Sequence, residues 1–407
     1  MRKSSLRPLL LACATLSGAM AFGLARAADS DTTASCIPPA TWAVPEAGGV
    51  RATPGPATLA AMALKDVVLL GEQHDDADHH RWQLQTLAAL HAQRTRMVIG
   101  FEMFPRRLQA VLDQWVAGTL SESRFLELAE WDTVWKLPAS LYMPLFEFAR
   151  LNRISMLALN VDQPLVRATS SGGWAAVPMS MREGVGQPAA PLPAYVDELF
   201  DIHRAHLDMR AHRRSGATPD RNDPAFRNFV DAQLLWDRAM AEALASRSRS
   251  DAGEGSRPLV VGIMGSGHIQ RGHGVPHQLR DLGIRNVGAL LPLPSATPCA
   301  DIPAGLADAL FSIPPVVRDT PPPPRLGVGL DTHPEGVRIA EVTPGSLADT
   351  AGLRANDVIV EAAGATAPKV QALIATIRSQ PAGTWLPMKV KRGSDTIEVV
   401  VRFPARS

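Results

Sequence analysis

Short unbroken apolar runs alternate along this chain with stretches whose apolar positions recur every three or four residues. Val67-Val68-Leu69-Leu70 is apolar and largely β-branched, the pattern of a strand buried on both faces of a parallel sheet. Met97-Val98-Ile99-Gly100-Phe101, the segment 154–159, Leu259-Val260-Val261-Gly262-Ile263-Met264 and the segment 286–291 repeat it. Between the first two, Leu84, Leu87, Ala88 and His91 recur at helical spacing within 77–93. Further helices are predicted over 108–116, over 121–129 with Ser121 as N-cap, over 141–151 and over 224–246. Strands alternating with helices predict an α/β domain, a parallel sheet sandwiched between helices on both faces. The pattern fails over 172–223, where glycines, prolines, His203, His206, His212 and a basic run at 210–214 accumulate. A mostly helical insertion with loops is expected there, serving as a lid, a partner surface or a solvated connection.

The ends of the chain follow other rules. Residues 1–27 carry a basic start, an apolar run over 9–24 and the small-x-small triplet Ala25-Arg26-Ala27, which together read as a cleaved secretory leader. Leu10-Leu11-Ala12-Cys13 also resembles a lipobox, although cleavage there would strand most of the apolar run; lipid anchoring at Cys13 is the less favoured alternative. Nothing after residue 28 is long and apolar enough to span a bilayer. An exported, periplasmic chain without a transmembrane segment is expected. A Pro- and Ala-rich lead-in occupies 28–57, the α/β domain 58–295, and a Pro-rich linker 296–324, with Pro314-Pro315 and four consecutive prolines at 321–324. The remainder, 325–407, alternates in strand fashion over 337–342, 357–361, 386–391 and 396–402, with helices after Ser346 and over 370–377.

Composition trims the possibilities. At 407 residues the chain exceeds one compact core, and 41 Lys+Arg against 40 Asp+Glu leave a formal charge of +1, so no net field favours nucleic acid. Removing the leader leaves Cys36 and Cys299, too few for a cysteine metal cluster and placed near the two ends of the larger domain. In an oxidising compartment they are expected to pair.

Chemistry-bearing residues gather after the predicted strands: Glu72 and His74; Glu102; Asn160 and Asp162; His268. Ligands of parallel sheets bind at these carboxyl ends. Gly71-Glu72-Gln73-His74 and Gly265-Ser266-Gly267-His268 are two Gly-x-x-His motifs, their glycines allowing a sharp turn and a close approach. Two histidines and a carboxylate form a common divalent-metal shell, which assigns His74, Glu102 and His268 as ligands and Glu72 as either a fourth ligand or the base for a metal-bound water. Gly71, Gly265 and Asn160 would support them, as would His80, favoured over His79 to turn inward although a helix histidine is more often a surface or cap residue. Met264 stands where a Gly-x-Ser-x-Gly nucleophile elbow needs glycine, and no Cys-x-x-Cys-His offers covalent haem attachment.

Leu70-Gly71-Glu72-Gln73-His74-Asp75, Phe101-Glu102-Met103-Phe104, Leu157-Ala158-Leu159-Asn160 and 262–268 resemble the ChaN-like family of haem-binding uptake proteins, within the Tiki superfamily that also holds TraB-type proteins. The resemblance covers about 60–295. It implies haem for ChaN-like members, and for peptidase members a divalent metal (Mn, Co or Zn) on the residues matching His74, His268 and Glu102. A haem requires an axial ligand and an apolar wall; Tyr142, and His203 with His206, are the candidates. Pro344-Gly345-Ser346 and 351–359 resemble a bacterial PDZ domain, a partly open β-barrel with two helices. That resemblance makes Leu326, Gly327, Val328 and Gly329 the loop receiving the C-terminus of a peptide or partner protein. Three functions follow: a haem- or metal-binding uptake protein, a metal-dependent hydrolase or peptidase, and a non-catalytic scaffold acting through the PDZ domain.

Overall fold

A computed structural model describes residues 35–211, 220–249, 257–315, 324–366 and 369–405. The expected leader, Cys13 and the tip of the basic run at 212–214 lie outside the described residues. The chain divides into two units, Met1–Pro315 and Val316–Ser407. No helix among the described residues is long and apolar enough to cross a membrane.

The first unit is built on an eight-stranded sheet. Its strands are β1 (Trp42–Glu46), β2 (Gly49–Thr53), β3 (Val67–Glu72), β4 (Met97–Pro105), β5 (Ser155–Asn160), β6 (Leu259–Gly265), β7 (Val287–Pro294) and β8 (Ala309–Ile313), in the order β2-β1-β8-β7-β3-β6-β4-β5. The six from β8 to β5 are parallel, and β1 joins β8 antiparallel as half of a hairpin with β2. The unbroken apolar run of β3 has its cause here. Val68 and Leu70 enter the core on one face, with Trp82, Leu87 and Phe146; Val67 and Leu69 enter the other, with Met240, Leu244 and Leu279. A strand with helices on both sides has no wet face to keep polar.

The insertion begins with short 3-10 turns, Trp174–Ala176 and Met179–Met181, and becomes helical at Pro193–Ala211. That helix packs Tyr195 and Leu199 against Phe226, Val230 and Leu234 of the long helix Pro224–Arg249.

Two proline-rich stretches hold more structure than their composition implies. The expected lead-in contains the β1–β2 hairpin, and the expected linker contains β8, inserted between β1 and β7. Five-residue strands flanked by proline and glycine carry too little periodicity to register against that background. Cys36 and Cys299 form the expected disulfide, across a separation of 263 residues.

The second unit is an antiparallel sheet of β9 (Val328–His333), β10 (Gly336–Val342), β11 (Val358–Ala362), β12 (Ala365–Thr366), β13 (Trp385–Arg392) and β14 (Asp395–Arg402), ordered β14-β13-β11-β10-β9 with β12 on β11. Leu326, Ile339, Ile359, Leu373 and Leu386 fill its core. Between β9 and the helix Val370–Arg378 runs a groove of about 460 Å³ lined by Leu326, Gly327, Val328, Leu330, Val370, Ile374 and Ile377. Arg325 and Arg378 also line it. Gly329 is not among the lining residues: it stands where a Cβ would lie 2.8 Å from Glu341 Cγ.

Candidate functional site

β3 and β6 are neighbours in register, with Gly71 opposite Met264 and Glu72 opposite Gly265. The two Gly-x-x-His motifs therefore leave the sheet side by side, 190-odd residues apart in sequence and adjacent in space, and their glycines interlock. A Cβ on Gly71 would lie 2.7 Å from Ser266 Oγ and would also strike Leu291; a Cβ on Gly265 would lie 3.0 Å from His74 Cε1. Each motif's glycine thus makes room for a side chain of the other. Gly71→Ala is expected to lower the unfolding free energy by about 1–3 kcal/mol through overpacking, read from the urea midpoint. Gly265→Ala is expected to act mainly by displacing the His74 ring, with a weaker effect on the midpoint than on ligand affinity.

On the other side of β6, β4 brings in Glu102, whose Oε2 accepts the Gly265 N–H at 2.7 Å. Asn160, at the end of β5, donates through Nδ2 to the Glu102 carbonyl at 2.9 Å. His74, Glu102, Asn160 and His268 line one cavity of about 680 Å³. Met103, Val134, Trp135, Leu137, Val161 and Trp236 supply apolar wall, and Arg107, Glu130 and Asp162 lie on its more exposed side.

Behind each histidine stands the same set of groups. His74 Nδ1 bonds Glu72 Oε1 at 2.8 Å, the same oxygen accepts the Tyr142 hydroxyl at 2.7 Å, and the His74 ring meets Trp135 edge-on. His268 Nδ1 bonds Asp237 Oδ1 at 2.7 Å, Asp237 Oδ2 accepts the Tyr195 hydroxyl at 2.8 Å, and the His268 ring meets Trp236 edge-on. Histidine, buried carboxylate, tyrosine and tryptophan recur as two quartets, drawing on the only two tyrosines in the chain. A carboxylate accepting from Nδ1–H fixes the tautomer and makes Nε2 the available ligand atom, more basic than in a free imidazole.

Glu72 sits outside the cavity lining. Burial alone would raise its pKa, but hydrogen bonds from His74 and His80, and their charge, hold it at about 2. Oε2 receives Gln83 Nε2 at 3.0 Å and lies 3.4 Å from His80 Nδ1. A carboxylate so occupied and so acidic cannot serve as the base expected of it; it positions His74 instead. His80 and His79 are both buried, and His80 reaches Glu72 from behind without lining the cavity. Both ring nitrogens of His80 face acceptors, Nδ1 toward Gln83 Oε1 and Glu72 and Nε2 toward the His74 carbonyl at 3.0 Å, an arrangement that favours the doubly protonated ring. Its pKa is raised accordingly: burial, which lowers it, is outweighed by Glu72. For His268 likewise, the lowering by burial is outweighed by the charge and hydrogen bond of Asp237 and by Glu102, which push it up to about 9.

Three further expectations need correction. Tyr142 is fully buried with its hydroxyl committed to Glu72 and to the His74 carbonyl, so it is no axial ligand. His203, half-buried against Phe226 and Phe229, and exposed His206 belong to the helix Pro193–Ala211 and do not line the cavity. Among the described residues no group of three or more His, Cys, Asp or Glu is placed to hold a metal ion. Glu102 already takes an N–H on one oxygen, and its other oxygen lies 3.7 Å from His268 Nε2.

Asp237, Trp135, Trp236 and Arg107 were not foreseen from the sequence. Asp237 had a signal: it occupies the apolar stripe of its helix, three residues after Leu234 and three before Met240. A carboxylate on such a stripe has to be paired.

The model of the family described as haem-binding uptake, Tiki superfamily, ChaN matches residues 58–279, and a PDZ-domain model matches residues 324–402. No curated protein matches the chain. Among solved structures, ChaN of Campylobacter jejuni, described with cofacial haem binding, is similar at 18% identity and a TM-score of 0.49, over 66% of this chain and 96% of that one. The HtrA3 PDZ domain bound to a phage-derived ligand is 22% identical over 19% of this chain and 82% of that one, with a TM-score of 0.18. A serine endoprotease from Yersinia pestis is 20% identical over 21% of this chain and 30% of that one, with a TM-score of 0.19.

Proposed function

The chain belongs to the ChaN-like haem-binding uptake family of the Tiki superfamily, and from that premise we propose that it is an exported protein of haem acquisition, holding haem in the cavity at the sheet edge. One observation carries the reading: His74 and His268 share an apolar-walled cavity, each with Nδ1 tied to a buried carboxylate. Haem, when bound, supplies an iron that takes an imidazole nitrogen as axial ligand and a macrocycle that seeks an apolar wall. The residues present fit both needs. We assign His74 as the ligand, because its side chain is 39% exposed against 12% for His268. Glu72 and Tyr142 hold it in place. His268 with Glu102 forms the polar side of the cavity, and Trp135 and Trp236 supply flat apolar surface. The groove of the second unit accepts the C-terminus of a peptide, its carboxylate toward Arg325 and Arg378 and its apolar side chains against Val328, Val370 and Ile374.

Titrating the mature protein with haemin is expected to give a Soret band of a histidine-ligated haem at one equivalent per cavity. His74→Ala is expected to weaken binding at least tenfold and to change the band, while His268→Ala keeps the band's position. Equal spectra for the wild-type protein and His74→Ala would remove His74 from the role.

A further inference from the structure

Arg107 lines the cavity together with Glu130 and Asp162. Its Nε donates to Asp162 Oδ1 at 2.8 Å, while Nη1 and Nη2 donate to the two oxygens of Glu130 at 2.6 and 2.8 Å. The two edges of the guanidinium differ in kind. Asp162 adjoins the helix Gln163–Gly172, fixed in a core by Leu165 and Val166, and its own N–H is held by the Glu183 carboxylate. That edge is an anchor. The forked edge holds Glu130, whose side chain is 46% exposed, so releasing it into water involves little change in solvation. Glu130 also has φ +51, a left-handed conformation unfavourable to a residue with a side chain. It immediately precedes the four-residue helix Trp131–Val134, and Thr133, Val134 and Trp135 are cavity wall.

A guanidinium fork accepts any planar carboxylate in the geometry it gives to Glu130. Haem presents two carboxylates at the edge of an apolar body. A ligand carboxylate cannot simply join the cluster, because three carboxylates would then surround one Arg107. It has to replace one, and Glu130 is the exposed and strained member. We propose that Arg107 is the carboxylate receptor of the cavity and that Glu130 is a built-in stand-in, displaced when a ligand's carboxylate takes its place. This rests on the haem reading of the same cavity. The exchange keeps the charge at Arg107 constant and frees the turn at Glu130, so the cavity selects apolar ligands bearing an acid group over their neutral esters.

The test uses metal-free protoporphyrin IX and its dimethyl ester, which differ only in those two acids and need no axial ligand. Binding to the full chain is followed by tryptophan quenching and porphyrin emission. The wild-type protein is expected to bind the diacid about tenfold or more tightly than the ester, the worth of a charge-assisted fork. Glu130→Gln, which keeps the size of the side chain and removes the competing charge, is expected to tighten the diacid severalfold and leave the ester unchanged. Arg107→Gln is expected to abolish the preference, and Arg107→Lys, charged but without a fork, to retain part of it. Both positions are nearly half exposed, and unchanged thermal midpoints would show that the variants fold. Equal affinities of diacid and ester for the wild-type protein would overturn the Arg107 assignment and leave the haem reading standing. Weaker diacid binding by Glu130→Gln would make Glu130 a support and overturn its role as stand-in. Failure of both porphyrins to bind would overturn this inference, while the haemin titration, which engages His74, decides the haem reading separately.

Discussion

Replacing Cys299 with serine is expected to lower the unfolding free energy of the first unit by about 5 kcal/mol, a large part of the stability of an ordinary domain. The magnitude comes from the denatured chain. The bond joins residues 263 apart, and removing it releases a very long loop. The folded unit keeps those ends together by other means: β1 pairs with β8 through Trp42 opposite Phe311 and Ala43 opposite Leu310, and Ser312 Oγ donates to the Ile37 carbonyl at 3.0 Å. The variant should therefore fold to the same structure and unfold at lower urea, with a larger m-value as its denatured state expands. Tryptophan emission follows this unit, since only Trp385 lies in the other. Dithiothreitol should shift the wild-type midpoint equally and the Cys299→Ser midpoint not at all. A wild-type midpoint indifferent to reduction would show that the denatured chain is already held together without the bond.

Glu72→Ala carries the second large effect, a loss of about 3–5 kcal/mol, because it leaves the buried charge of His80 uncompensated and removes the acceptor of Tyr142, Gln83 and His74. The milder Glu72→Gln adds a dependence on pH. Despite burial, which raises it, the hydrogen bonds and charges of His74 and His80 take the Glu72 carboxyl from its usual 4.5 to about 2 in the folded protein. A depressed folded pKa means stability fully present above pH 4.5 and lost as pH falls toward 2; the shift is worth about 3 kcal/mol. The gap between wild type and Glu72→Gln should be widest near neutrality and close progressively below pH 4.5. A gap unchanged between pH 6 and pH 3 would mean that Glu72 is not the buried, ionised acceptor. In the haemin titration the same variant should weaken the His74-ligated form, since Nδ1 loses its carboxylate.

The strands that gather the site could be read in advance because each is buried on two faces and so leaves an unbroken apolar run, and the groups after those runs had no reason from strand propensity to be there. Hence His74, Glu102 and His268 were legible and do share a cavity. The roles of their neighbours were not. Whether Glu72 faces the cavity or the core depends on how the chain turns after Leu70, and the answer came from partners 11 and 70 residues away, Gln83 and Tyr142. Asp237 and Tyr195 reach His268 from helices whose packing on the sheet is a matter of three-dimensional fit. Arg107 and Glu130 lie at the outer ends of two successive helices, and their meeting depends on the angle between those helices, which periodicity does not encode. In the second unit alternation marked the strands, while the groove was expected only through the resemblance to a PDZ domain carried by two short turn motifs.

The scarcity of tyrosine acquires a use. With Tyr142 behind one histidine and Tyr195 behind the other, and no third in the chain, fluorotyrosine incorporated during expression would give a fluorine spectrum of two lines, each reporting one wall of a single cavity. A ligand seated against His74 alone would move the Tyr142 line and leave its companion. One spanning both histidines would move the two together. The molecule thus carries its own pair of labels, and they tell apart the two sides of its binding site.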